Sequence, residues 1–138
     1  MEFFALLAIP CLGALVLAVS GGRRAAPEVN AVFSLATLAA AAALTVRVVG
    51  EGSFSALHEQ FFVDPFNVFL ITLTAFVSFT TSLFSRPYMR IEREHRRVSG
   101  RQLRLYHSMY QLFIAAMLVA LTTNNMGILW VAMEAATL

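Results

Sequence analysis

Glu134 is the residue whose type and position best suit proton chemistry. It stands in an apolar run, nine or ten residues beyond the polar pair Asn124 and Asn125. At about 1.5 Å of helix per residue, this spacing places the carboxylate roughly 15 Å deep, near the middle of a bilayer. An unpaired carboxylate there costs at least about 2.5 kcal/mol. Protonation or a buried cation removes that cost, and a group poised between these two states can relay protons.

Three neighbours are candidates to support Glu134. Trp130 lies one helical turn earlier on the same face, and Gly127 and Thr137 lie close by. Small and hydroxyl-bearing residues there would admit water or a neighbouring helix. The alternative interpretation is a static, hydrogen-bonded Glu134 that holds helices together, with Trp130 as a packing or lipid-facing side chain.

The composition indicates the solvent that surrounds these residues. The chain is 59% hydrophobic and only 13% charged, with a mean hydropathy of +0.72. Soluble domains carry about a quarter charged residues, so lipid must replace water around much of this surface. The basic pI of about 9.2 has a better explanation in membrane topology than in nucleic-acid binding. The single cysteine, Cys11, excludes an internal disulfide.

Hydropathy predicts an all-α, polytopic transmembrane bundle, a single region of about five helices. They are expected at residues 3–20, 29–49, 66–84, 108–122 and 125–138. The first is not a signal peptide, because its arginines follow the apolar run instead of preceding it. The polar residues 122–125 predict a turn between the fourth and fifth helices. The fifth, with 14 residues from Asn125, spans about 21 Å, too short to cross the bilayer, so we expect the N-terminal part of a longer or a split chain.

The arginines predict the orientation. Nine of the ten lie at residues 23–24 and 86–104, in alternate loops, whereas residues 50–65 contain three acids and no base. The positive-inside rule then puts the arginine-rich loops in the cytoplasm and the N-terminus outside. Arg47 departs from the pattern, but its long side chain can reach the outer interface. The loop at residues 86–107 is interpreted as an anchor, and the alternative is a site for anionic headgroups or a partner subunit.

Several kinds of site are missing from the sequence. We find no glycine-rich phosphate loop, no cysteine cluster for zinc or iron–sulfur, and no nucleophile elbow. His95 and His107, twelve residues apart beside arginines, do not form a convincing metal site. We therefore expect no cofactor, no metal and no redox or catalytic centre of the chain's own.

Three segments resemble the antiporter-like proton-translocating membrane subunits of complex I, membrane-bound hydrogenases and multisubunit cation/proton antiporters. The specific one is NNMGILWVAMEAATL at residues 124–138, which is similar to the fifth helix of that family. FVDP at residues 62–65 looks like the entry to the third helix. LYHSMYQLF at residues 105–113, followed by AAM at 115–117, is most similar to component F of hydrogenase-4-type complexes.

The resemblance implies a redox-driven proton-translocating complex of the hydrogenase-4 or NADH–quinone oxidoreductase type. It implies that Glu134 pairs with a lysine on a later helix, that other membrane and peripheral subunits are the partners, and that the complex lies in a bacterial-type inner membrane. Two alternatives stay open. One is a subunit of a multisubunit sodium/proton antiporter, and the other is a small non-catalytic membrane scaffold.

Overall fold

The computed structural model describes all 138 residues, as five α-helices and one short β-hairpin. The helices are α1 (Glu2–Ser20), α2 (Ala26–Glu51), α3 (Pro65–Glu94), α4 (Gly100–Thr122) and α5 (Met126–Thr137). The strands are β1 (Phe54–Ala56) and β2 (Phe61–Val63), both between α2 and α3. The predicted all-α bundle of about five helices is confirmed.

Helices α1 to α4 are each long and apolar enough to cross a membrane. Large apolar side chains cover their outer surfaces, and Phe69, Phe76 and Phe84 of α3 are 63%, 53% and 80% exposed. Water would penalise such a surface, whereas lipid tails solvate it. The chain is therefore a multi-pass membrane protein.

The arginine-rich segment differs from the predicted loop at residues 86–107. α3 continues to Glu94 and α4 begins at Gly100, so only five residues lie between the helices. Arginine is a good helix former, and both helices can extend beyond the lipid into water without losing backbone hydrogen bonds. Ser99 and Gln102 form a capping box that starts α4 eight residues before the predicted boundary.

A β-hairpin that the sequence did not predict covers one end of the bundle. Phe54 pairs with Val63 in the antiparallel ladder, and residues 57–59 of its turn all have positive φ. The main hydrophobic core lies beside it, built from the start of α1, the end of α2, the start of α3 and the end of α4. Its largest members are Phe3, Leu6, Leu44, Val48, Val63, Val68, Ile71, Ile114 and Leu118.

The hairpin is joined to the turn that precedes α5. The N–H of Asn124 donates to the carbonyl of Gln60 at 2.7 Å, and the Asn125 side-chain amide donates to the Gln60 side chain at 2.6 Å. Asp64 and Asn67 form a capping box at the start of α3, where Pro65 occupies the first turn. This explains the FVDP segment physically, because Asp64 ends the hairpin and begins the helix.

Helix α4 occupies the centre of the bundle and packs against the other four helices. Toward α1, Ser108 donates a hydrogen bond to the carbonyl of Ala14 at 3.0 Å. Toward α3, the Tyr110 hydroxyl donates to the carbonyl of Ser78. Toward α2, the side chain of Gln111 reaches Asn30, and a neighbouring face of α4 packs against α5.

Candidate proton-handling site

Helix α5 positions Glu134. Asn125 caps the helix, since its side-chain oxygen accepts hydrogen bonds from the N–H groups of Gly127 at 2.8 Å and Ile128 at 3.3 Å. Glu134 lies about two turns further along, so roughly 12 Å of helix separates it from Met126. The polar turn and the apolar helix after it together set the depth of the carboxylate.

The Glu134 carboxylate is exposed and has no partner in this chain. Its side-chain oxygens make no hydrogen bond, and it belongs to none of the ion pairs. Its main-chain carbonyl accepts bonds from the Leu138 N–H and the Thr137 hydroxyl. The acid is therefore free to meet a group from outside these 138 residues.

Trp130 and Thr137 share this open face of α5. Trp130 is 68% exposed, and Thr137 is exposed, with its hydroxyl donating to the carbonyls of Met133 and Glu134 at 3.1 Å. Gly127 is also exposed and lines the edge of a groove of about 400 Å³ between α4 and α5, together with Ile128, Val131, Ala132 and Ala135. Glu134 thus has Trp130 and Thr137 beside it on an open face, and Gly127 lies two helical turns earlier on the same side of α5.

Arg47 cannot serve as the cation for Glu134, because it is engaged elsewhere. Its guanidinium donates to Glu2 and to Glu51, each at 3.1 Å, and lies 4.7 Å from the centre of the Phe54 ring. These contacts tie the start of α1 to the end of α2. No cation of the described chain pairs with the Glu134 carboxylate.

A second group of polar residues, which sequence reasoning missed, lies inside the bundle. The side-chain amide of Gln111 donates to the Asn30 side-chain oxygen at 2.8 Å and to the Ser34 hydroxyl at 3.1 Å. All three are buried, as is His107, one turn before Gln111. The spacing of four residues between His107 and Gln111 was the available signal, since it puts both on one face of α4.

Glu28 forms the main ion-pair cluster at the arginine-rich end. One of its carboxylate oxygens accepts hydrogen bonds from Arg86 at 3.2 Å and from Arg90 at 2.9 Å. These contacts clamp the start of α2 to the end of α3. Two of the arginines that determine the predicted orientation therefore also have a local packing role.

Comparison with known proteins gives one informative relative. No family model matches the chain. The chain is 38% identical, over all of its 138 residues, to a protein of Methylacidiphilum infernorum (isolate V4) named hydrogenase-4 component F homolog. It spans 28% of that protein's length. Over its whole length the chain is thus similar to a hydrogenase-4 component F homolog, in agreement with the resemblance predicted from its sequence.

Proposed function

We propose that this chain forms part of the membrane subunit of a redox-driven proton-translocating complex, and that Glu134 is its proton-handling carboxylate. The single observation that carries the proposal is the position of Glu134, a carboxylate in an apolar helix that has no partner within the chain. An acid in lipid without a counter-charge is costly, so such residues in membranes usually handle ions or protons.

The partner of Glu134 in this proposal is a buried cation on a helix outside these residues, as the family resemblance implies. Its approach favours the ionised carboxylate, and its withdrawal favours the protonated one. Cycling between the two arrangements moves a proton. Trp130 and Thr137 border the face on which the partner docks.

The name of the relative supports membership of a multisubunit complex with hydrogenase-type partners. In this proposal the redox chemistry belongs to those partners, and the chain contributes the membrane part. The complex lies in a bacterial-type inner membrane, with the arginine-rich ends of α3 and α4 in the cytoplasm.

The test is proton pumping by the intact complex in sealed vesicles. The substitution Glu134→Gln preserves shape and removes titration, and we expect it to lower the pumping rate by at least ~10-fold. Glu59→Gln is the matched control, since Glu59 is an exposed acid in the hairpin turn. A Glu134→Gln complex that pumps at the normal rate contradicts the proposal.

Purification of the complex distinguishes the sodium/proton antiporter alternative. A redox-driven assembly retains iron–sulfur or hydrogenase-like subunits after mild solubilisation. Proton movement that requires sodium and no electron donor, in a complex that lacks such subunits, would favour the antiporter.

A further inference from the structure

The buried polar atoms that lack a hydrogen-bond partner are concentrated in one part of the molecule. They are Glu28 Oε2, Asn30 Nδ2, Arg86 Nε and both ring nitrogens of His107. The four residues lie on α2, α3 and α4, toward the arginine-rich end of the bundle. Buried polar atoms are nearly always satisfied by protein or by water, so a cluster of exceptions indicates bound water.

His107 is the centre of this cluster. Its side chain is fully buried, at 0% exposure, and its ring contacts the edge of Tyr106 with 5.1 Å between centroids. Neutral imidazole has one donor and one acceptor nitrogen, and both are left without a protein partner. A dry site would leave two polar atoms unsatisfied in one ring, which is expensive in a low-dielectric interior.

A route for water approaches this site from the arginine-rich end. A cavity of about 480 Å³ opens there, lined by Arg24, Arg90, Arg93, Glu94, Met89, Pro27 and Leu103. Leu103 lies one helical turn before His107, and Pro27 lies three residues before Asn30. The lining of the cavity therefore reaches to within one turn of α4 of His107.

Charged residues near His107 lie on the helices that pack against α4. The Glu28 carboxylate of α2 is near enough to act on the imidazole electrostatically, and it also binds Arg86 and Arg90 of α3. Tyr106 and Tyr110 flank His107 on α4 itself. The charged residue of α1, Glu2, lies at the other end of the bundle with Arg47, and Glu134 of α5 lies beyond the turn at residues 123–125.

From these observations we propose that His107, with Asn30 and Gln111, forms a water-filled site that exchanges protons with the arginine-rich side of the membrane. The ligands are water and the proton. The site is separate from Glu134, because its side chains contact α2 and not α5, and His107 lies nearer the arginine-rich end. It does not depend on the role proposed for Glu134.

Deuterium exchange at the imidazole C2–H position, read by mass spectrometry on the full chain in lipid bilayers, tests the proposal. The reaction needs water at the ring, and three peptides report separately on His58, His95 and His107. His58 and His95 are exposed and serve as internal references. We expect His107 to exchange within ~10-fold of His95, and exchange more than ~100-fold slower would overturn the proposal.

A pair of variants tests the same idea by stability. If water serves the site, His107→Gln keeps a polar partner for the water molecules, so it unfolds at a higher temperature than His107→Leu. If the site is dry, leucine removes two unsatisfied atoms and the order reverses. A His107→Leu variant that unfolds at the same temperature as His107→Gln, or at a higher one, would overturn the proposal.

Discussion

Two acids of this chain illustrate how the surroundings of a carboxylate decide its role. Glu28 lies where α2 meets α3, and two arginines hold it as part of the bundle. Glu134 has the same side chain but no cation within reach in this chain. Depth and the lack of a partner, not the residue type, make Glu134 the candidate for proton transfer.

The buried amide of Gln111 stabilises the bundle through Asn30 and Ser34. We expect Gln111→Ala to lower the free energy of unfolding by about 1–3 kcal/mol, because it leaves buried polar groups unsatisfied. Equilibrium unfolding in mixed micelles, followed by circular dichroism, measures this. Arg101→Ala, at an exposed position of α4 outside the capping box, should cost less. A smaller effect at Gln111 than at Arg101 would contradict this role.

At the scale of elements, the turn before α5 determines where Glu134 lies. Asn125 caps α5 and also donates to Gln60 of the hairpin. We expect Asn125→Ala to destabilise the protein by about 1 kcal/mol through loss of the cap. Asn125→Asp keeps the capping oxygen and should retain most of the stability. An unfolding temperature of Asn125→Asp at or below that of Asn125→Ala would contradict the capping role.

The contact between α1 and α4 depends on a residue without a side chain. A Cβ atom at Gly21 would meet the carbonyl oxygen of Leu17 in α1 and would also lie 2.9 Å from the Cα atom of Arg104 in α4, and backbone cannot move aside cheaply. Gly21→Val should therefore separate the two helix ends and lower the unfolding temperature. Gly50→Val is the control, because a Cβ there meets nothing within 4 Å; an equal loss in both variants would show that close approach is not the reason.

The sequence predicts helices better than it predicts their ends and the hairpin. Long apolar runs such as that of α3 are unambiguous, because lipid favours them wherever they occur. The ends of α3 and α4 extend past the hydrocarbon into water, where hydropathy gives no signal. The hairpin has three-residue strands and depends on contacts with residue Thr123, far along the chain, so local patterns did not reveal it.

Some of the candidate functional residues can likewise be predicted from the sequence, and others cannot. A lone acid in an apolar helix can be recognised from sequence, and so can the capping asparagine before it. The group formed by Asn30, His107 and Gln111 depends on how α2 and α4 pack, and Asn30 is 77 and 81 residues from the other two in the sequence. Only the fold brings them together.

For the whole molecule, the arginines predict one orientation in the membrane. In a Cys11→Ser background, His95→Cys should react with a membrane-impermeant maleimide from the cytoplasmic side, and Ser53→Cys from the opposite side. Both positions are exposed and lie at opposite ends of the bundle. Labelling of cells and of inverted vesicles measures this, and the reverse pattern would contradict the orientation.

Infrared difference spectroscopy of the intact complex during turnover tests the central claim most directly. If Glu134 takes up and releases a proton, a carbonyl band of a protonated carboxyl group should appear and vanish with each cycle. The band should be lost in Glu134→Gln and retained in Glu59→Gln. A band that persists in Glu134→Gln, together with normal pumping, would show that this carboxylate does not carry the proton.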